Sequence, residues 1–299
     1  MTGPGSDATD FSREVLDLFD EYVHGAISRR GFLDRCASHV GGIAIATSVL
    51  AALSPNFAAG QVVAPGDHRI TVTHVDIAAP SGSGTIRAYV ASPLGASPRH
   101  RRPVVLVVHE NRGLNPHIED IARRLAVDGF IAVAPDALTA LGGYPGDEDK
   151  ARALFGQLDQ TKINADFLAA ANYAQALPAG NGKLGAVGFC WGGGMVNLLA
   201  TKVPALLAAV PFYGAPPPLD AVPAINAELL LNFAGNDKRI DDMWPAYEAA
   251  LKAAGKTYHA FVYPGVEHGF NNDTTPRFNK EAAALAWGRT MELFRRKLG

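Results

Sequence analysis

Residues 188–194 read Gly-Phe-Cys-Trp-Gly-Gly-Gly, and this stretch decides the fold of the chain. It has the Gly-x-nucleophile-x-Gly spacing of a nucleophile elbow, with Cys190 where a serine is usual. The apolar residues 184–188 predict a buried strand, and residues 195–200 predict the start of a helix. So tight a strand-to-helix turn strains its central residue, and the flanking glycines remove side chains that would clash there. The motif therefore predicts a thiol at the tip of a turn above a sheet.

The chain around this motif alternates predicted strands and helices from about residue 68 onward. Residues 69–77 and 85–91 predict a hairpin joined by the turn at 80–84. Further strands are predicted at 104–108, 130–134, 184–189, 208–212, 229–233 and 258–263. Helices are predicted at 118–128, 149–155, 163–177, 193–201, 243–254 and 279–297. This rhythm indicates an α/β fold, with a mostly parallel central sheet, helices on both faces and an N-terminal hairpin.

Two residues that follow predicted strands complete a catalytic pattern with the elbow. Asp237 comes after the strand at 229–233, and His268 comes after the strand at 258–263. The order nucleophile, acid, base is that of the α/β-hydrolase fold, and the carboxyl ends of parallel strands meet at one edge of the sheet. An imidazole accepts the thiol proton, and a carboxylate fixes the tautomer of that imidazole. The sequence therefore predicts a triad of Cys190, Asp237 and His268.

Each of the two partners has an alternative in the sequence. Glu267 is the alternative carboxylate, but adjacent side chains in a loop usually diverge, which favours Asp237. His259 is the alternative base, but it lies inside a strand pattern, which favours a structural role.

The loop at 109–115 is predicted to border the same cleft. An oxyanion hole is expected from the backbone N–H of Trp191 and the backbone N–H of Asn111. Glu110 is expected to contact the resting thiol or a polar substrate group, with a solvated or structurally paired glutamate as the alternative. Arg112 either binds a substrate carboxylate or pairs with Glu110 or Glu119. Candidate pocket residues are Arg112, Tyr144, Tyr213 and Phe270, and each of the three aromatic residues has a core position as the alternative.

Composition excludes several other classes of protein. The chain has 299 residues and a formal net charge of −2, which does not indicate a nucleic-acid partner. Its two cysteines, Cys36 and Cys190, form no CxxC pair, and the nine histidines include no HExxH motif. We therefore expect no metal site.

The first 60 residues resemble an export signal. Arg29-Arg30 is followed by Phe32-Leu33 and by small apolar residues over 37–53, as in a twin-arginine signal. Cleavage is predicted after Ala58 or Ala59. The run is rich in alanine and glycine, so we expect no stable membrane anchor.

The alternative for this segment is a retained helical arm. Residues 11–22 predict a short amphipathic helix that would pack on the domain or on a partner subunit. We divide the chain into 1–60, signal or arm, and 61–299, an α/β-hydrolase catalytic domain. Export predicts a periplasmic protein, and the alternative is a cytoplasmic one. Cleavage would also remove Cys36 and leave Cys190 as the sole thiol.

Residues 109–113, residues 188–193, Asp237 and residues 267–270 together resemble the dienelactone hydrolase (carboxymethylenebutenolidase) family. The resemblance spans roughly residues 68–299. It implies an α/β-hydrolase fold and a Cys-Asp-His triad, with the glutamate that matches Glu110 partnering the thiol before substrate binds. It also implies hydrolysis of an enol-lactone through an acyl-thiol intermediate, without metal or cofactor.

One departure from that family concerns substrate binding. Members that act on dienelactone use arginines to hold the substrate carboxylate, one of them a few residues past the histidine. Here residues 271–274 are Asn-Asn-Asp-Thr, and the first arginine after His268 is Arg277. The resemblance therefore carries over the catalytic residues but not the specificity for dienelactone.

We expect a cysteine-dependent hydrolase of small esters or lactones, acting as a monomer or a small homo-oligomer. A non-catalytic binding protein or a thiol redox sensor on the same fold is the alternative from a different class. A thioesterase or peptidase is the alternative among enzymes.

Overall fold

Eight strands form a single sheet in the computed structural model, which describes residues 7–299. The strands are β1 (Ile70–Ala79), β2 (Gly84–Pro93), β3 (Arg102–Val108), β4 (Ile131–Pro135), β5 (Gly180–Phe189), β6 (Leu206–Phe212), β7 (Glu228–Ala234) and β8 (Tyr258–Tyr263). Their order across the sheet is β1-β2-β4-β3-β5-β6-β7-β8. β1 pairs antiparallel with β2, β2 pairs antiparallel with β4, and all other neighbours are parallel. The predicted hairpin and mostly parallel sheet are confirmed.

Eleven helices are present among the described residues. They are α1 (Arg13–Val23), α2 (Arg29–Val40), α3 (Ile43–Leu53), α4 (Phe57–Gly60), α5 (Pro116–Val127), α6 (Glu148–Phe155), α7 (Gln160–Gln175), α8 (Trp191–Lys202), α9 (Lys238–Asp241), α10 (Trp244–Ala253) and α11 (Lys280–Leu298). Short 3₁₀ turns lie at Ala8–Asp10, Thr139–Leu141 and Leu219–Ala224. Every helix predicted after residue 68 is present within a few residues of its predicted bounds.

The helices cover both faces of the sheet, as predicted. One apolar core lies between the sheet and helices α5 and α11, and the other lies between the sheet and helices α7, α8 and α10. The middle strand β3 faces both cores, and its five apolar residues from Val104 to Val108 are all at most 1% exposed. Burial of each such side chain stabilises the fold by about 1.5–3 kcal/mol. A central strand held this firmly fixes the loops at its carboxyl end.

Helices α1 to α4 form an N-terminal arm, which we define as residues 13–60. The predicted amphipathic helix is present as α1, capped by Ser12, and its apolar residues are buried. These residues pack with Phe32, Cys36 and Leu53 in a cluster separate from the two sheet cores. The arm therefore has a small hydrophobic core of its own.

The segment that resembles an export signal is helical in this arm. The Arg29-Arg30 pair begins α2, and the apolar run that follows is broken by the turn at Gly41, whose φ of 89° suits glycine. By length and composition alone, Ile43–Gly60 is sufficient to cross a membrane, and 22% of this stretch is buried. A signal sequence near the N-terminus has the same properties, so export and the expected lack of a stable membrane anchor both stay predictions. The first six residues of the predicted 1–60 segment lie outside the described residues.

Candidate active site

Cys190 lies at the sharp turn between β5 and α8. Its backbone has φ 57° and ψ −117°, a strained combination for a residue that carries a Cβ. The turn is held by a hydrogen bond from the Cys190 N–H to the Phe212 carbonyl at the end of β6, with an N···O distance of 3.1 Å. The side chain sits at the N-terminus of α8, where the helix dipole favours a negative charge. The predicted elbow geometry is present.

His268 and Asp237 meet beside this thiol. The Nδ1 atom of His268 lies 2.5 Å from Oδ2 of Asp237, and both side chains are buried. Because a carboxylate only accepts here, Nδ1 carries the proton, and Nε2 is the ring nitrogen left for the thiol. The Nε2 atom is buried and makes no hydrogen bond within the described part of the chain. The sulfur and the imidazole nitrogen of His268 lie within 4.8 Å of each other.

The alternative acid and base have other partners. Glu267 accepts hydrogen bonds from Arg13 at 3.0 Å and from the side-chain amide of Asn236. His259 lies on β8 with its side chain 58% exposed, 3.4 Å from Glu228. The geometry therefore brings together Cys190, Asp237 and His268.

The thiol has a second imidazole neighbour that the sequence did not indicate. Nε2 of His24, at the C-terminal end of α1, lies 3.5 Å from the sulfur of Cys190. Nδ1 of His24 is 2.8 Å from the carbonyl oxygen of Asp20 and 3.2 Å from its carboxylate. The arm thus places a second acid–imidazole pair against Cys190, beside the pair formed by Asp237 and His268.

These charges shift the protonation of the thiol. Burial alone would raise the pKa of Cys190, but the positive charges of His268 and His24 and the hydrogen bond from His24 lower it to about 5. Burial opposes a charge on His268, yet Cys190 and Asp237 raise its pKa to about 10. The pKa of His24 is raised as well, against the effect of burial, by Cys190 and Asp20. The favoured resting state is a thiolate beside imidazolium.

The pH dependence of thiol alkylation tests this state. Because the pKa of Cys190 is lowered, the thiolate persists above about pH 5, and we expect its alkylation by iodoacetamide to be nearly constant from pH 8 to pH 6. Below pH 5 the rate should fall about tenfold per pH unit. The measurement uses the Cys36→Ala variant, so that Cys190 is the one thiol available for alkylation. A rate that already falls tenfold per unit between pH 8 and pH 6 would show an ordinary thiol instead.

Glu110 has a partner other than the thiol. Its carboxylate accepts a hydrogen bond of 3.0 Å from the side-chain amide of Asn272, and it lines the cavity above Cys190. This contact matches the paired-glutamate alternative. The hydrogen-bond partner that the thiol has in the structure is His24.

Asn111 and Arg112 connect the loop after β3 to the arm. The side-chain amide of Asn111 donates to the carbonyl of Val23 at 2.8 Å, and Arg112 donates to the same oxygen at 3.2 Å. Arg112 is buried, and its carboxylate neighbour is Glu148 at 3.7 Å rather than the expected Glu110 or Glu119. The oxyanion donors predicted at the backbone N–H groups of Asn111 and Trp191 stay a prediction.

The four candidate pocket residues divide into two pairs. Arg112 and Tyr144 line the cavity, and the Tyr144 hydroxyl donates to Glu148 at 2.9 Å. Tyr213 and Phe270 lie behind it, because both are at most 1% exposed and pack against each other in the core. The Tyr213 ring contacts His268 at 4.8 Å between centroids, so this pair supports the imidazole from behind. The Trp191 side chain stacks on the His109 ring, with 5.4 Å between the ring centroids.

The cavity has a volume of about 530 Å³ and lies between the arm and the sheet domain. Cys190 and His268 form its floor, and Phe19, Tyr22 and Leu50 of the arm contribute to its wall. Arg277 also lines it, and its Nε and Nη1 atoms are buried without a hydrogen bond in the described residues. Arg277 is the first arginine after His268, and the loop between them brings it to the cavity, which the sequence did not indicate.

Three side chains at the floor of this cavity are of types that ligate metals. Atoms of His24, Cys190 and His268 lie within 4.8 Å of one another. Thiolate and imidazole donors suit a soft ion such as Zn²⁺. The expectation that no metal is required stays a prediction, and assays of this thiol call for a chelator.

Two sequence profiles match different parts of the chain. A profile of the dienelactone hydrolase family matches residues 86–298, and a profile described as YqhI-like matches residues 4–40 within the arm. A relative from Escherichia coli (strain K12), named "Putative carboxymethylenebutenolidase", is 32% identical over 252 residues, which cover 79% of this chain and 91% of that protein. A relative of the same name from Saccharolobus solfataricus is also 32% identical and covers 72% of this chain and 96% of its own length.

Solved structures agree with these matches. A crystal structure from Klebsiella pneumoniae, described as a "Putative Dienelactone Hydrolase", is 31% identical with a TM-score of 0.66, covering 76% of this chain and 99% of that one. A dienelactone hydrolase-like promiscuous phosphotriesterase from metagenomic libraries is 25% identical with a TM-score of 0.67, covering 77% of this chain and 100% of that one. Together with the elbow and the sheet topology, these findings show that the chain belongs to the dienelactone hydrolase family of the α/β-hydrolase superfamily.

Proposed function

We propose that this protein, an ester and lactone hydrolase by its family, acts through Cys190 as the nucleophile, with Asp237 and His268 as its partners. The observation that carries the proposal is the position of Cys190 on a strained turn, beside an imidazole whose far nitrogen is 2.5 Å from a buried carboxylate. Each side chain takes one role of an acyl-transfer triad.

The first half of the reaction acylates the sulfur. The Cys190 thiolate attacks the substrate carbonyl carbon, and the carbonyl electrons move to its oxygen. The N–H groups of Trp191 and Asn111 are the proposed donors to that oxyanion. When the intermediate collapses, the C–O bond of the ester breaks, and the leaving oxygen takes the proton from Nε2 of His268. An acyl-thioester on Cys190 results, and in a lactone the leaving group stays tethered to the acyl chain.

The second half regenerates the thiolate. Nε2 of His268, now without its proton, removes a proton from a water molecule that attacks the thioester carbonyl. The C–S bond then breaks, the carboxylic acid leaves, and the sulfur departs as thiolate beside the imidazolium. The buried Asp237 carboxylate stabilises that imidazolium in both halves.

The cavity favours a small substrate. Its volume of about 530 Å³ falls within the range of small-molecule sites, roughly 300–1,000 Å³, and is too small for a folded peptide chain. The Arg277 guanidinium pairs with the Asp20 carboxylate at 3.7 Å, but its Nε and Nη1 atoms make no hydrogen bond among the described residues and offer donors to a polar or anionic substrate group. An ester or lactone that carries such a group is therefore the substrate class we propose.

An acyl group trapped on Cys190 tests the proposal. Brief incubation with p-nitrophenyl acetate, an acid quench and intact-mass spectrometry should show one added acetyl group, which peptide mapping assigns to Cys190. The Cys36→Ala variant should give the same result. Turnover of the ester with no acyl group on Cys190 would contradict the mechanism. An unmodified or only oxidised thiol, without turnover of any ester or lactone in a panel, would favour the binding protein or redox sensor.

The export prediction bears on which form of the protein carries this activity. Cleavage after Ala58 or Ala59 would release the sheet domain without the arm, and retention would keep the arm over the cavity. N-terminal sequencing of the protein from its native location distinguishes the two forms. We keep export as a proposal that rests on the twin-arginine pattern alone.

A further inference from the structure

We infer that the N-terminal arm supplies a second catalytic imidazole, His24, which holds Cys190 as a thiolate, and that Asp20 positions it. This inference rests on the proposed role of Cys190 as the nucleophile. The juxtaposition that carries it is the 3.5 Å distance from Nε2 of His24 to the sulfur, together with the contacts of Nδ1 to Asp20.

The protonation of His24 follows from its neighbours. The two groups at Nδ1 are the Asp20 carbonyl and carboxylate oxygens, which only accept, so Nδ1 carries a proton. When Nε2 is also protonated it donates to the thiolate, and the C-terminal end of α1 favours the positive charge. Asp20 lies one helical turn before His24, which is the spacing that brings two side chains together on a helix. Helix α1 thus builds an acid–imidazole pair from local sequence.

Three cationic groups, Arg239, His268 and Arg277, face this pair, and the first two oppose a positive charge on His24. Nη2 of Arg239, from α9, lies 3.1 Å from Nε2 of His24, which opposes a proton there, and the ring of His268 packs edge-on at 4.7 Å. The Arg239 side chain is 42% exposed, so solvent screens its charge, whereas the thiolate is 8% exposed. Arg277 lies 3.7 Å from the Asp20 carboxylate, and the pKa of that carboxyl is lowered, against the effect of burial, by His24 first and then by His268 and Arg277. The sum of these charges favours a proton on Nε2 of His24 beside the thiolate.

Helix α1 is clamped to the sheet domain at both of its ends, and one of the clamps directly precedes His24. The Val23 carbonyl accepts from both Asn111 and Arg112, and the Tyr22 carbonyl accepts from Arg152. The Arg152 guanidinium also lies over the Tyr22 ring, 3.9 Å from its centroid. At the start of α1, Arg13 makes two hydrogen bonds of 3.0 Å to Glu267. These contacts fix the imidazole against the sulfur, as a catalytic group requires.

His24 takes the place at the thiol that Glu110 was expected to fill. Glu110 is bonded to Asn272, so it is not the hydrogen-bond partner of the resting sulfur in this structure. A cationic partner stabilises a thiolate, whereas a carboxylate would destabilise it. The arm therefore converts the resting thiol into a ready nucleophile in the full-length chain.

The His24→Gln variant of the full-length protein tests the inference. Glutamine keeps a hydrogen-bonding side chain but no positive charge, so the pKa of Cys190 should rise from about 5. Its alkylation at pH 6 should slow about twofold for the first unit of that rise and about tenfold for each further unit. The kcat/KM for p-nitrophenyl acetate should fall about tenfold or more. The matched control is His39→Gln, an exposed histidine of the same arm, which should behave as wild type. All assays contain a chelator, since His24, Cys190 and His268 can hold a soft metal ion.

Asp20→Asn is the second variant, and it tests the role of the Asp20–His24 pair if His24→Gln does not fold. It should shift the pH profile of alkylation in the same direction by a smaller amount, a change that a merely structural role of Asp20 would not produce. Unchanged profiles in both variants, or faster turnover in His24→Gln, would overturn the inference. Cys190→Ala is assayed in parallel: full turnover by that variant would overturn the proposed nucleophile itself, whereas its inactivity beside a normal His24→Gln would overturn only the role of the arm.

Discussion

Replacing Cys190 with alanine is expected to lower kcat/KM for a chromogenic short-chain ester by roughly 10⁴- to 10⁶-fold while leaving the thermal melt nearly unchanged. The variant removes the sulfur that forms the acyl bond, and His268 and His24 then face an empty site. The fold should tolerate the change, because the strain at φ 57° is felt by any residue with a Cβ and alanine has one. Steady-state kinetics give kcat/KM, and a melting curve of the same preparation gives the melting temperature.

The matched control is Cys36→Ala, which removes the other thiol of the chain. Cys36 is fully buried in the core of the arm, so its loss should cost on the order of 1 kcal/mol of stability without touching the cavity floor. Activity should survive in Cys36→Ala and vanish in Cys190→Ala. Turnover that persists at the wild-type level in Cys190→Ala would remove the sulfur from the mechanism.

Much of the fold could be predicted because its strands are long apolar runs. The run at 104–108 is buried on both faces, and the predicted bounds of β8 agree with the structure to the residue. Bounds differ where the local sequence carries no apolar signal. Residues 180–183, Gly-Asn-Gly-Lys, have the composition of a turn, yet β5 begins at Gly180 because Arg102 of β3 pairs with it. Tertiary pairing extends the strand beyond the point where its own sequence favours one.

The site was predictable where its residues follow strands. Cys190, Asp237 and His268 each lie past the carboxyl end of a strand, so the topology alone brings them to one edge of the sheet. His24 had no such signal, since it lies 166 residues from Cys190 and reaches it only through the packing of the arm. An aspartate and a histidine four residues apart at the end of α1 are visible in the sequence, but the surface on which that helix packs is not.

The elbow also predicts a large effect on stability from a single methyl group. In Gly192→Ala, the added Cβ would lie inside the contact distance of two backbone carbonyl oxygens, those of Val108 and His109. Backbone atoms of β3 and the loop after it cannot move aside as a flexible side chain can, so α8 would have to shift away from β3. Overpacking of this kind typically costs about 1–3 kcal/mol, and two backbone contacts place this site at the upper end. A loss of about 3 kcal/mol corresponds to a melting temperature lower by roughly 6–12 °C.

Gly194→Ala isolates the steric cause, because it makes the same change two residues further along α8. There the added Cβ meets its nearest atom, the Ala215 carbonyl oxygen, at 3.6 Å, which is an ordinary contact. Alanine is favoured over glycine inside a helix by about 1 kcal/mol, so this variant should melt at or above the wild-type temperature. Melting curves of the two variants should therefore move in opposite directions. Equal melting temperatures would mean that α8 does not approach β3 as closely as the structure shows, and the position of the thiol at its N-terminus would then need another explanation.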